Sequence, residues 1–325
     1  MQRRAFLGTV AGVLLASPLA AGAQPADRTY HVGVVLAGGP YLAALEGLRT
    51  GLKEAGLEEG RHYVLHVHDV KGDPNAVGPA ARALEREKVD LIYAVTTSIT
   101  LATRQATARV PIVFYAGSDP VTAGLVQSFR KPGGRLTGVY SRTVDLTPKR
   151  FELLKAMLPR LHRVVTFYRR DNAIAVRSVH AMRDVARELK IELLERPVVS
   201  SDDLRSSLRA LKPGAADAYL QAGDATIVSQ TDMILDVARA KKLPTMFSDE
   251  TSVVRGGLAC YGLNYRTASR RAATYVRRVL LGTDPGELPV EQMDDPYIVI
   301  NLKAARDLGV TIPPALLQRA DHVIE

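Results

Sequence analysis

Tryptophan is absent from this chain and only 6% of its residues are aromatic, so the stacking platforms on which single-stranded nucleic acids lie are missing. The formal charge of +9 is scattered rather than gathered into a stripe, and no nucleic-acid partner is expected. Cysteine occurs once, at Cys260, which excludes a disulfide within the chain. No Gly-x-Ser-x-Gly elbow, P-loop or His-Glu-x-x-His motif occurs, and "AGGP" at 37–40 lacks the spacing of a dinucleotide fingerprint. No cofactor is expected. Beyond the N-terminus no apolar run approaches the length of a membrane span.

What is there begins with an export signal. Arg3 and Arg4 precede a mostly apolar run from Phe6 to Leu15, and Ala21-Gly22-Ala23 offers an A-x-A cleavage site. Residues 1–23 read as a signal peptide with a twin-arginine-like start. No cysteine stands at the cleavage site, so a lipid anchor is not expected. The mature protein is expected in the periplasm, soluble and monomeric.

From Tyr30 the chain alternates strand and helix. "HVGVVLA" and "VDLIYAVT" are continuous apolar runs suited to strands buried on both faces, whereas "YLAALEGLRTGLKEAG" carries apolar residues at helical spacing. The pattern restarts at "RVVTFYR" and runs through "ADAYLQAG" and "LPTMFS". Two segments share one plan. "VPIVFYAGSDPVTAGL" and "LPTMFSDETSVVRGGL" each have Pro, Phe three positions later, an Asp in the loop, and Gly-Leu at a matching distance. The expected fold is therefore α/β: two Rossmann-like, flavodoxin-like lobes with parallel sheets. The expected boundaries are 30–141 plus 264–291 for one lobe and 142–263 plus 292–325 for the other. Several crossovers near Ser141, Gly262 and Glu291 would form a hinge, able to close around a ligand.

Ligands in such sheets bind beyond the carboxyl ends of the strands. Thr96, Thr97 and Ser98 lie between a strand and a helix, where hydroxyls and free backbone N–H groups suit an anion such as a carboxylate; the same residues also suit plain capping. Asp119 follows one strand, and Ser248, Asp249 and Glu250 follow its equivalent. Asp224 heads another helix, as a cap, an ammonium ligand or both. Arg169 or Arg170 could reach the cleft and clamp a carboxylate. Gly38 and Gly39 permit close backbone approach, and Tyr41 offers a ring with a hydrogen-bonding tip. His66 and His68 share a strand face, but two or three local ligands do not make a metal site, and no metal is expected. The acids have no supporting base or nucleophile, so catalysis is not expected.

At these residues the sequence resembles the ABC-transporter substrate-binding proteins whose known members take up tryptophan or tyrosine, of the type I periplasmic-binding fold. The likeness is carried by "GLKEAGLEEGRHY", "VPIVFYAGSDPVTAGLV", "KPGGRLTGV", "FELLKAMLP", "FSDETSVVRGGLACYGLNY" and "VINLKAARDLGVTIP". It implies a two-lobed receptor that traps an amino acid or small carboxylate and delivers it to an ABC permease in the inner membrane. It also implies binding loops at Thr96 to Ser98, Asp119, Arg170, Asp171 and Asn172, Asp224, and Ser248 to Glu250. "RRDN" at 169–172 stands where relatives carry a small Asn-Pro-type loop, and its positive charge favours a more acidic guest. "TTSIT" lacks the Thr-Pro common in relatives. A ligand sensor for a membrane signalling partner and an exported hydrolase remain as alternatives.

Overall fold

A computed structural model describes residues 28–293 and 295–325; the signal peptide expected over 1–23 lies outside the described residues. The first sheet contains β1 (Tyr30–Leu36), β2 (Tyr63–Asp69), β3 (Leu91–Val95), β4 (Ile112–Ala116) and β5 (Leu136–Tyr140). The second contains β6 (Arg163–Tyr168), β7 (Glu192–Pro197), β8 (Ala218–Leu220), β9 (Thr245–Phe247) and β10 (Ala259–Gly262). Three late strands complete them: β11 (Glu291–Gln292), β12 (Tyr297–Asn301) and β13 (His322–Ile324).

The spatial orders are β11-β5-β4-β3-β1-β2 and β13-β12-β10-β9-β8-β6-β7. Without the late strands each sheet reads second, first, third, fourth, fifth, the flavodoxin-like order. Every pairing is parallel except β10 with β12. The continuous apolar runs become central strands: β3, β4 and β5 are buried throughout, as helices cover both faces of a parallel sheet. The repeated Pro has the same ladder role in both sheets. The third strand donates to the Pro carbonyl, from Ile92 N to Pro111 O at 2.9 Å and from Tyr219 N to Pro244 O at 2.8 Å.

After β10 the chain returns to the first sheet. The helix Tyr265–Leu280 packs against the helix Leu42–Glu54, and β11 pairs with the edge strand β5. The helices meet so closely at Gly47 that a Cβ there would lie 2.1 Å from Arg266 O. The chain then crosses back to β12. Two of the crossovers are tied by Arg150, a fully buried residue. Its Nε donates to Tyr261 O at 2.6 Å and its Nη1 to Thr143 O at 3.0 Å. Burial pulls its pKa down to about 10, which leaves it charged at neutral pH.

The two halves also meet directly. Gly39, with φ +58°, abuts the backbone of Ser229. Thr226 Oγ1 donates to Gly72 O at 2.7 Å and Gln230 Nε2 to Lys71 O at 3.2 Å.

Candidate functional site

In each sheet the order reverses beside the first strand, and the loops leaving the strands there border a crevice. In the first sheet these are the loops after β1 and β3, which carry Tyr41 and Thr96 to Ser98; in the second, the loops after β6 and β8, which carry Arg169 to Asn172 and Gly223 to Ala225. Together they enclose an inner chamber of about 50 Å³. Tyr41, Thr96, Thr97, Ser98, Tyr115, Gly117 and Tyr265 face it from one side, and Asn172, Ile174, Gly223, Ala225 and Ser248 from the other, with Thr143 and Val144 at a crossover. An outer chamber of about 590 Å³ shares Ser98, Asn172, Ile174 and Ala225 with it and is walled mostly by apolar side chains.

Thr96 shapes the donor-bearing edge of the inner chamber. Its backbone, at φ 92° and ψ 154°, lies in a region that β-branched residues rarely adopt, a strain of the kind held at functional sites. Its Oγ1 accepts from Ile99 N at 3.3 Å, and its carbonyl accepts from Thr100 N at 3.0 Å. That leaves the N–H groups of Thr97 and Ser98, in the first turn of the helix Thr97–Ala106, without a partner among the described residues. Thr97 Oγ1 shares a hydrogen bond with Ser118 Oγ at 3.0 Å.

Three tyrosines form the floor. Tyr41 and Tyr265 lie with ring centroids 4.7 Å apart and Tyr115 lies 6.0 Å from Tyr265. Burial pushes all three phenols above their usual range, so they act as neutral hydrogen-bonding groups. From the second sheet, Asn172 caps the helix Ala173–Glu188 through Ile174 N at 3.1 Å and faces both chambers. Ser248 donates from N and Oγ to Gln221 Oε1, at 3.2 and 2.8 Å.

Asp224, Asp249, Asp119 and Glu250 lie outside both chambers, and the cap expected at Asp224 is present. Asp224 accepts from Thr226 N, Ile227 N and Arg169 N, and Asp249 accepts from Ser252 N at 2.9 Å and Ser252 Oγ at 2.8 Å. Both are buried helix caps turned into their own lobe, and neither lines a chamber. Burial raises the pKa of each, that of Asp249 to about 6. Asp119 caps a turn through Val121 N and Thr122 N and borders a hollow of about 140 Å³ with Arg142 and Arg177, which shares Val144 with the inner chamber and Thr122 and Arg177 with the outer one. Glu250 points away from the cleft, toward Asn264 Nδ2 at 2.7 Å and His322 Nδ1 at 3.0 Å.

Of the two arginines, Arg170 is exposed and borders neither chamber, whereas Arg169 lines the outer one. Arg169 pairs with Asp171, its Nε at 3.0 Å and its Nη2 also in contact, and its Nη1 reaches Thr226 Oγ1 at 3.3 Å. Asp171 lines the outer chamber beside it. His66 meets His31 rather than His68, with Nε2 2.8 Å from His31 Nδ1. Among the described residues no group of three or more His, Cys, Asp or Glu is placed to hold a metal ion.

Sequence reasoning did not pick out Tyr115, Gly117, Thr143 or Tyr265. Tyr115 reads as one more buried strand residue, and Tyr265 as the start of an amphipathic helix 150 positions later. The "FYAG" that follows the repeated Pro was the one available signal, since a polar-tipped ring at a strand's carboxyl end faces the crevice.

A family model described as ABC transporter substrate binding protein matches residues 31–324. A tyrosine-binding protein of Clostridioides difficile is 30% identical over 259 residues, covering 79% of this chain and 74% of that protein. Among solved structures, an ABC domain from Streptococcus pneumonia in complex with L-Trp superposes with a TM-score of 0.81 at 25% identity, covering 91% of this chain and 100% of that one. The ligand-free, open structure of a substrate binding protein with adhesive properties from Clostridium difficile gives a TM-score of 0.60, also at 25% identity, covering 91% and 99%.

Proposed function

This chain belongs to the ABC transporter substrate binding protein family, and from that premise we propose that it captures an amino acid or related small carboxylate between two lobes and delivers it to an ABC permease. The observation that carries the reading is the inner chamber, whose walls come from both sheets. A ligand that touches both walls binds the closed arrangement more tightly than an open one, and that difference is what drives closure. The lobes are 30–141 with 264–291 and 142–263 with 292–325, hinged at the crossovers. The shape is nearer to the L-Trp-bound neighbour than to the open, ligand-free one, which supports a closed arrangement here.

In this reading the N–H groups of Thr97 and Ser98 hold a carboxylate, Asn172 reaches it from the opposite lobe, and Tyr41, Tyr115 and Tyr265 pack beneath it. Closure excludes water and strengthens these contacts. Among the described residues the inner chamber has no carboxylate, His or Lys to act as a base, which supports capture without turnover. The export signal expected over 1–23 supports a periplasmic location.

The test is a thermal-shift screen of amino acids and small carboxylates on the mature protein, with native mass spectrometry of whatever co-purifies. A ligand is expected to raise Tm. At Gly117 a Cβ has ordinary room, 3.7 Å from Thr143 Oγ1, so the first carbon of Gly117→Leu is accommodated and the rest of its side chain competes with a ligand for the chamber. That variant is expected to fold and lose the shift. An unchanged response in Gly117→Leu would remove the chamber as the site.

A further inference from the structure

An α-amino acid brings a carboxylate and an ammonium on adjacent atoms, so whatever chamber takes one must also satisfy the other. An ammonium has three donors and no acceptor. Buried without a carboxylate partner, such a charge is expensive.

The inner chamber has the opposite surplus. No charged side chain lines it among the described residues. The N–H groups of Thr97 and Ser98 are unpartnered donors. Two more buried donors without partners stand directly behind its walls. One is Arg150 Nη2, on the guanidinium that holds the carbonyl of Thr143. The other is Gln221 Nε2, on the amide that holds Ser248.

The nearest acids do not redress this. Asp224 and Asp249 are turned inward, each with both carboxylate oxygens already accepting hydrogen bonds. Asp171 and Asp73 line the outer chamber, the first paired with Arg169 and the second capping the helix Pro74–Arg86 through Asn75 N at 2.9 Å. The outer chamber in turn offers an apolar surface, including Val77, Ile99, Leu101 and Ile174, and Arg177 stands at it with no partner among the described residues.

Resting on the reading of the inner chamber as the ligand site, we infer that the ligand is a carboxylate with no ammonium beside it, an acid whose apolar or aryl body extends into the outer chamber. The carboxylate accepts from the N–H groups of Thr97 and Ser98, the buried Arg150 and Gln221 behind the walls add donors but no acceptor for an ammonium, and the body covers apolar wall.

The test is calorimetric titration of the mature protein with 3-phenylpropanoate and L-phenylalanine, which differ only in the α-ammonium. The expected result is that 3-phenylpropanoate binds at least tenfold more tightly and that Gly117→Leu abolishes its binding. Equal or tighter binding of L-phenylalanine overturns the inference, as does binding of neither probe. The Gly117→Leu variant separates the two readings. If L-phenylalanine binds more tightly and G117L abolishes that binding, the chamber stands as the site and only the ligand class is wrong. If either probe binds G117L as it binds the parent protein, both readings fall.

Discussion

Replacing Gly39 by Ala tests closure without touching the ligand. Gly39 lines neither chamber, yet a Cβ there would sit 2.6 Å from Ser229 O and 2.8 Å from Ser229 Cα. Both are backbone atoms of the opposite lobe, so no side chain can swing aside and the lobes must separate slightly. The residue also has φ +58°, where an alanine costs about 1–2 kcal/mol. That cost is present whether the lobes are open or closed, so it lowers overall stability and leaves the balance between the two arrangements alone. In the proposed hinge motion the contact with Ser229 is lost when the lobes open. Overpacking of this kind costs about 1–3 kcal/mol, which converts to a loss of affinity of roughly 5- to 150-fold. Calorimetric titration reads the affinity, and small-angle scattering with and without saturating ligand reads the compaction. Gly47→Ala is the control, since its Cβ would meet Arg266 O at 2.1 Å inside a single lobe. It is expected to lower the unfolding midpoint and keep the affinity. Gly39→Ala binding within twofold of the parent protein, or Gly47→Ala weakening binding equally, would refute the argument that closure governs affinity.

Two further outcomes follow from the acids. Asp249 has its pKa raised by burial from 3.8 to about 6, so its ionisation opposes folding. The stability it permits is complete below pH 4 and is lost as pH rises toward 6, by about 3 kcal/mol; Asp249→Asn, which can still cap, is expected to lack that part of the decline in urea melts at pH 4 and 7, and an identical pH profile would contradict it. Glu250 faces Asn264 and His322 rather than the cleft, so Glu250→Ala is expected to leave ligand affinity within twofold and to cost at most about 1 kcal/mol of stability. A tenfold loss of affinity would mean that the side chain turns into the site.

The architecture was legible because period and burial leave marks along the chain itself. Strands buried on both faces must be apolar at every position, as β3 and β4 are. The repeat was legible because the Pro before β4 and the Pro before β9 each place a carbonyl under the same ladder bond. The antiparallel entry of β12 was not legible, since its sequence "YIVIN" is compatible with either direction. Thr96 to Ser98 could be named in advance because a helix start after a buried strand exposes donors whatever surrounds it.

The roles of the acids were a different matter. Asp224 and Asp249 sit at strand–helix junctions where one local sequence serves a cap or a ligand equally well, and only the packing of each lobe turned their oxygens inward. Arg169 and Arg170 are neighbours in sequence, and the geometry of the loop after β6 decided which one lines the outer chamber. The floor of Tyr41, Tyr115 and Tyr265 draws on residues far apart in the chain. The sequence determined the elements, because their physics is local; the tertiary structure alone decided the chamber, because its contacts join positions that no local preference relates.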